Sequence, residues 1–171
     1  MPLMTPMVQA AIALLALPKL EVAALLRDRL ATNPWLVEQP ELPFPSPVPI
    51  VCELIVTKGL SGYTVCLYDQ GLPTIGVKVL TVEDRASKAA CRLHNEAVWL
   101  VKGLACRRKL LQMVAETVVQ LQAEFLEQGR AGLKPLTLRQ VAEQIKLHPS
   151  TVSRVTANKT LFIEQGSRGE M

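Results

Sequence analysis

Aromatic residues are scarce in this 171-residue chain, at 4% of positions, so its core must be built mainly from Leu, Val and Ala, as in helical proteins. Histidine is scarcer still. Only His94 and His148 occur, and neither has a carboxylate or nucleophile at a useful spacing. There is no Gly-rich loop to cradle a phosphate and no paired acid in an apolar setting, so the chain does not read as an enzyme. Its four cysteines, Cys52, Cys66, Cys91 and Cys106, are scattered with no C-x-x-C pair, which argues against zinc, and no cofactor is implied. Cys52 and Cys66 would face each other across a hairpin, but reduced thiols are the better reading without a secretion signal. Long hydrophobic runs are missing too. The apolar stretch from Val8 to Leu17 is too short to span a bilayer, and no basic residue precedes it. The expectation is a soluble, cytoplasmic chain with no membrane partner.

What the chain has is enough apolar content, 49%, for a core in one or two domains, and an uneven charge. Met1 to Val101 carries 8 Lys/Arg and 9 Asp/Glu, a net of −1, whereas Lys102 to Lys159 carries 10 and 4, a net of +6. A basic second half favours a polyanionic partner and a salt-dependent affinity.

Residues 1–39 contain two apolar helical runs broken at Pro18. Val8, Ile12 and Leu15 form one stripe; Val22, Leu26 and Leu30 form the other, with Arg27 and Asp28 opposite. Asn33 precedes Pro34 and so ends the second helix. Trp35, Leu36 and Val37 follow as an apolar plug, exposed or docked. Residues 40–49 alternate prolines, at Pro40, Pro43, Pro45, Pro47 and Pro49, the pattern of a stiff extended linker. Within 50–90, Ile50 to Lys58 and Tyr63 to Leu67 flank Gly59 and Gly62, the signature of a β-hairpin, and Ile75, Val77 and Val79 alternate as a candidate third strand. Such a small unit needs a helix to pack on.

The longest periodic segment lies in 91–129. Ala97, Val101, Leu104, Leu111, Val114, Val118, Leu121 and Phe125 recur at helical spacing from Glu96 to Glu127, with Gly129 as the expected stop. The stripe pauses at Arg107, Arg108 and Lys109, a basic collar that is either a contact surface or a solvated face.

The stretch from Thr137 to Leu161, within 133–163, carries the sharpest signal. Thr137 and Gln140 have the spacing of a capping box. Val141, Ala142 and Ile145 share one face of a first helix, Lys146 to His148 form a turn, and Pro149 suits a first helical position. The second helix turns Val152 and Val155 inward. Ser150, Arg154 and Asn158 fall four apart on the other face, with Thr151 and Ser153 beside them. This is the layout of a helix-turn-helix that offers short polar and guanidinium groups to base edges in the major groove. The alternative is a helical hairpin inside a core, which has no reason to display TVSR outward.

Two stretches together resemble the sigma-54 family, the enhancer-dependent bacterial sigma factors. NEAVWLVKGLACRRKLLQMVAETVVQLQAEFLEQG followed by KPLTLRQVAEQIKLHPSTVSRVTANKTL is similar to the family's extra-long helix and promoter-binding helix-turn-helix. LLALPKLEVAALLRDRLATNPWLVEQ is similar to its activator-responsive N-terminal region, and VCELIVTKGLSGYTVCLYDQ to the short β-like piece before the long helix.

The resemblance implies a transcription initiation factor with promoter DNA, core RNA polymerase and an ATP-dependent enhancer-binding activator as partners. It implies that Ser150, Thr151, Ser153 and Arg154, with Asn158 and Lys159, meet the downstream promoter element. Trp99, Lys102, Arg107, Arg108 and Lys109 would form the long-helix contact near the start of melting. Leu14, Leu15, Leu20, Leu25 and Leu26 would belong to the activator-responsive region. Most of the family's helical core-binding domain and its C-terminal promoter-reading box, expected beyond the 164–171 tail, have no counterpart in these residues. The expected fold is mainly α: N-terminal helices, a small β-hairpin unit, one very long helix and a C-terminal helix-turn-helix. Two other functions fit the same residues. One is a regulatory protein that antagonises the full-length factor or its activator; the other is a generic helix-turn-helix repressor.

Overall fold

In a computed structural model, the structure describes residues 12–40, 48–60, 62–81 and 83–164. Val8 of the first apolar stripe, the prolines at 43, 45 and 47 and the tail from 165 lie outside the described residues. The chain divides into two compact units that interleave in sequence, one from 1–47 and 70–107, the other from 48–69 and 108–171. The fold is mainly helical with small sheets, as the sparse aromatics predict.

In the first unit, a helical turn at 12–16 is broken at Pro18, whose extended backbone (φ −68°, ψ 160°) starts helix α1, Lys19–Thr32. Asn33 ends α1 in extended geometry, as its place before Pro34 requires. Its side chain then ties two elements together. Nδ2 donates to the Leu93 carbonyl (2.9 Å), and Oδ1 accepts from the Trp35 amide (3.0 Å). The plug after Pro34 is strand β1, Leu36–Gln39, with Leu36 buried and Trp35 edge-on to His94 at 5.6 Å. The core joins Leu14, Val22 and Leu26 with Leu72, Ile75, Leu100 and Leu104, so the N-terminal helices dock on the first half of the long helix.

Strands β2, Leu54–Gly59, and β3, Gly62–Leu67, form the expected antiparallel hairpin of the second unit, with Gly59 opposite Gly62. Gly62 takes a positive φ of 129°, a region open to glycine. Ile75, Val77 and Val79 were expected to add the third strand, and they do not. Strand β4, Thr74–Val77, pairs antiparallel with β1 in the first unit, and Val79 lies beyond it, exposed. The third strand is β5, Leu161–Glu164, which runs parallel to β2. Alternation marks a strand but carries no information about its partner, and this partner lies a long way along the chain. Leu54, Val56 and Val65 pack on Ala115 and Val119, so the hairpin has the helical support it needs.

After a short 3₁₀ turn (Asp84–Ala86), helix α2, Lys88–Leu121, is 34 residues long, about 51 Å at 1.5 Å per residue. It starts before the expected Glu96 and stops before Glu127. The break is at Gln122 (φ −112°, ψ 24°), whose amide turns away to bond both backbone groups of Lys134, at 2.6 Å to the carbonyl and 3.1 Å to the N–H. Helix α3, Ala123–Gln128, completes the predicted segment, and Gly129 ends it with φ 67°. A 3₁₀ turn, Gly129–Gly132, follows. A Cβ at Gly132 would stand 2.3 Å from the Glu124 carbonyl oxygen, so only glycine fits there. Helices α4, Leu138–Gln144, and α5, Pro149–Thr156, then pack on one another before β5.

Candidate nucleic-acid interface

The site is built from α4, α5 and the turn between them. At the start of α4 the predicted capping box is present. Thr137 Oγ1 accepts from the Gln140 amide (3.3 Å), and Gln140 Oε1 accepts from the Thr137 amide (2.8 Å). Val141 and Ala142 are buried, and α4 closes with paired bonds in which the Leu147 N–H donates to the Ala142 carbonyl (2.9 Å) and the Lys146 N–H to the Glu143 carbonyl (3.3 Å). That is a Schellman closure, and it puts Lys146 in the left-handed region at φ 55°. His148 caps α5 by accepting the Ser150 N–H at Nδ1 (3.2 Å), and Pro149 takes the first turn.

The two faces of α5 are sharply divided. Val152 and Val155 are fully buried. Ser150, Ser153 and Arg154 are exposed on the other side, and Thr151 is half-buried beside them. Arg139 is held by Glu143 (2.9 Å) and Lys134 by Glu124 (2.5 Å), but among the described residues no carboxylate pairs with Arg154. Its five donors stay available for a bidentate acceptor, the geometry that a guanine edge supplies.

Several expected site residues stand elsewhere. Asn158 is exposed but lies past the end of α5 with φ 54°, so it does not extend the helical face of Ser150 and Arg154. Lys159 is not a surface cation. Its side chain is 6% exposed and its Nζ lies 3.7 Å from Glu53 Oε1, itself 6% exposed. Nothing in the sequence around Glu53 announced that contact.

The basic collar of α2 is split in the same way. Arg107 is buried, with Nη1 donating to the carbonyls of Leu14 (2.5 Å) and Leu15 (3.2 Å), so a contact role on the surface does not fit it. Arg108 is half-exposed and bonded to Asp69 at 2.5 Å, while Lys109 is exposed. Trp99 and Lys102 are also exposed, in the first unit. Of the leucines assigned to an activator response, Leu14, Leu15 and Leu26 are core, Leu25 is partly buried and Leu20 alone is largely exposed. The buried members are part of the packing of the first unit.

Among the described residues there is no group of His, Cys, Asp or Glu placed to hold a metal ion, and no helix long and apolar enough to cross a membrane. No disulfide links the four cysteines; Cys52 is buried and Cys66 exposed.

Residues 87–168 match the family described as "Sigma-54, DNA binding domain". An RNA polymerase sigma-54 factor of Acinetobacter guillouiae is 54% identical over 71 residues, covering 42% of this chain and 15% of the relative. The sigma-54 factor of Cereibacter sphaeroides is 35% identical over 113 residues (65% of this chain, 26% of the relative). That of Rhizobium etli is 44% identical over 84 residues (49% and 16%). The chain thus spans about a quarter or less of the relatives it matches.

Proposed function

The chain is a member of the sigma-54 family, and from that premise we propose that α4 and α5 form a helix-turn-helix that reads promoter DNA in the service of transcription initiation. The observation that carries this reading is the exposed Arg154, unpaired among the described residues and flanked by Ser150 and Ser153, with Val152 and Val155 buried directly behind it. A guanidinium held this way meets a base edge without first breaking an ion pair. Exposed cations of the second half, Lys109, Arg130 and Lys146 among them, supply the nonspecific attraction to phosphate. In this reading Ser150, Thr151, Ser153 and Arg154 face the downstream promoter element. Trp99, Lys102 and Lys109 remain as exposed long-helix candidates for promoter or polymerase contact, and core RNA polymerase and an ATP-driven activator are the protein partners.

Arg154→Ala tests it. Binding of the full chain to a duplex carrying the family's downstream element should weaken by about 1–3 kcal/mol, with relaxed preference over a scrambled duplex. Unchanged binding to both duplexes would remove Arg154 from the interface and the helix-turn-helix assignment with it.

A further inference from the structure

The end of α5 is joined to the sheet by a contact between buried charges. After Asn158 the chain places Lys159 against Glu53, then the Thr160 carbonyl accepts from the Glu53 N–H at 2.9 Å, then Leu161 pairs with Leu54 as β5 joins β2. The Glu53 carbonyl in turn accepts from the Tyr68 N–H at 2.9 Å. Glu53 is therefore hydrogen-bonded at its backbone N–H and carbonyl and ion-paired through Oε1, and two of those three contacts hold residues that follow α5.

Strand β5 is only four residues long, parallel and at the edge of its sheet. Backbone bonds alone specify such a register weakly, because a slip of two residues keeps the same strand face inward, although it draws Phe162 and Ile163 out of the apolar clusters they pack in. A slip of that size would move the end of α5 by about 7 Å. It would also separate the two buried charges of the Glu53–Lys159 pair. Removing one partner from a buried ion pair is strongly destabilising, whereas the pair itself adds little to stability, and its best-attested use is to fix register.

We infer that Glu53 and Lys159 form a register lock that sets the position of the DNA-reading helix, so that Glu53 is a positioning residue for promoter recognition and Lys159 is not a phosphate ligand. The inference rests on the DNA-reading assignment of α5, and its test separates the two. In the full chain, Glu53→Gln and Lys159→Met each remove one charge, and the double variant Glu53→Leu/Lys159→Met replaces the pair by apolar groups. Amide exchange reads the lock without DNA. All three variants should exchange faster than the parent across 149–164, by about tenfold, with the β2–β3 hairpin still protected. Equal exchange in parent and variants overturns the lock, whatever the DNA result.

DNA binding then reads the consequence. The matched-to-scrambled affinity ratio should fall about tenfold in all three variants, with the salt dependence of binding unchanged. If Lys159 instead contacts phosphate, Lys159→Met alone weakens both duplexes equally and lowers the salt slope by about one, while Glu53→Gln does neither. That outcome overturns the proposal. A parent chain that fails to discriminate the duplexes refutes the DNA-reading assignment, and the exchange measurement still decides the lock.

Discussion

Lys146 closes α4 in a conformation that suits glycine. Its φ of 55° costs an L-residue about 1–2 kcal/mol, and the neighbouring Schellman bonds hold it there. Lys146→Gly should therefore raise stability to denaturant by roughly 0.5–1 kcal/mol, the strain relief being partly offset by a more flexible unfolded chain. A fall in the denaturation midpoint would show that the lysine side chain itself supports the turn. The neighbouring caps could be read directly from residue types: Thr137 with Gln140, and Pro149 at the head of α5, have side chains or rings whose bonding is local. The left-handed lysine could not be read, since nothing in a lysine announces positive φ. Asn158, at φ 54°, is the type of residue that tolerates that region, yet helical spacing alone had placed it on the polar face of α5.

At the scale of elements, the long helix was legible from its apolar period, and its ends were not. The stripe from Ala97 to Phe125 runs through the break, because Leu121 and Phe125 stand four apart whether or not the backbone between them stays helical. What ends α2 is the Gln122 amide bonding to Lys134, a side-chain preference that periodicity does not encode. Gln122→Ala should cost about 1 kcal/mol. Its amide-exchange signature should be faster exchange over 123–134 with residues 88–121 unchanged. Equal acceleration along both would mean that the break has another cause. The β4 strand makes the same point differently. Its alternation was visible, but its pairing with β1 was not, since the hairpin of β2 and β3 offered a nearer partner that the chain does not use.

For the molecule as a whole, charge and burial have to be taken together. Arg107 belonged by sequence to a basic collar, but it holds the carbonyls of Leu14 and Leu15 in the first unit. Arg107→Met keeps most of the aliphatic stem and removes the donors, leaving those buried carbonyls short of partners. A loss of about 2–3 kcal/mol is expected, seen as a lower denaturation midpoint and faster amide exchange over residues 14–32. A parent-like exchange pattern there would show that the leucine packing alone suffices.

The sequence alone determined the helix starts and stops around Pro18, Asn33, Thr137 and Pro149, the hairpin of β2 and β3, and the polar outer face of α5. Caps, proline geometry and periodicity act across only a few residues, so a linear reading reaches them. Only the tertiary structure decided that β5 joins β2 and β4 joins β1. It also decided which members of a basic stretch face water: Arg154 does, while Arg107 and Lys159 are buried against groups far along the chain. Whether a charge is a contact or a lock depends on what folds over it, and that is set by long-range packing.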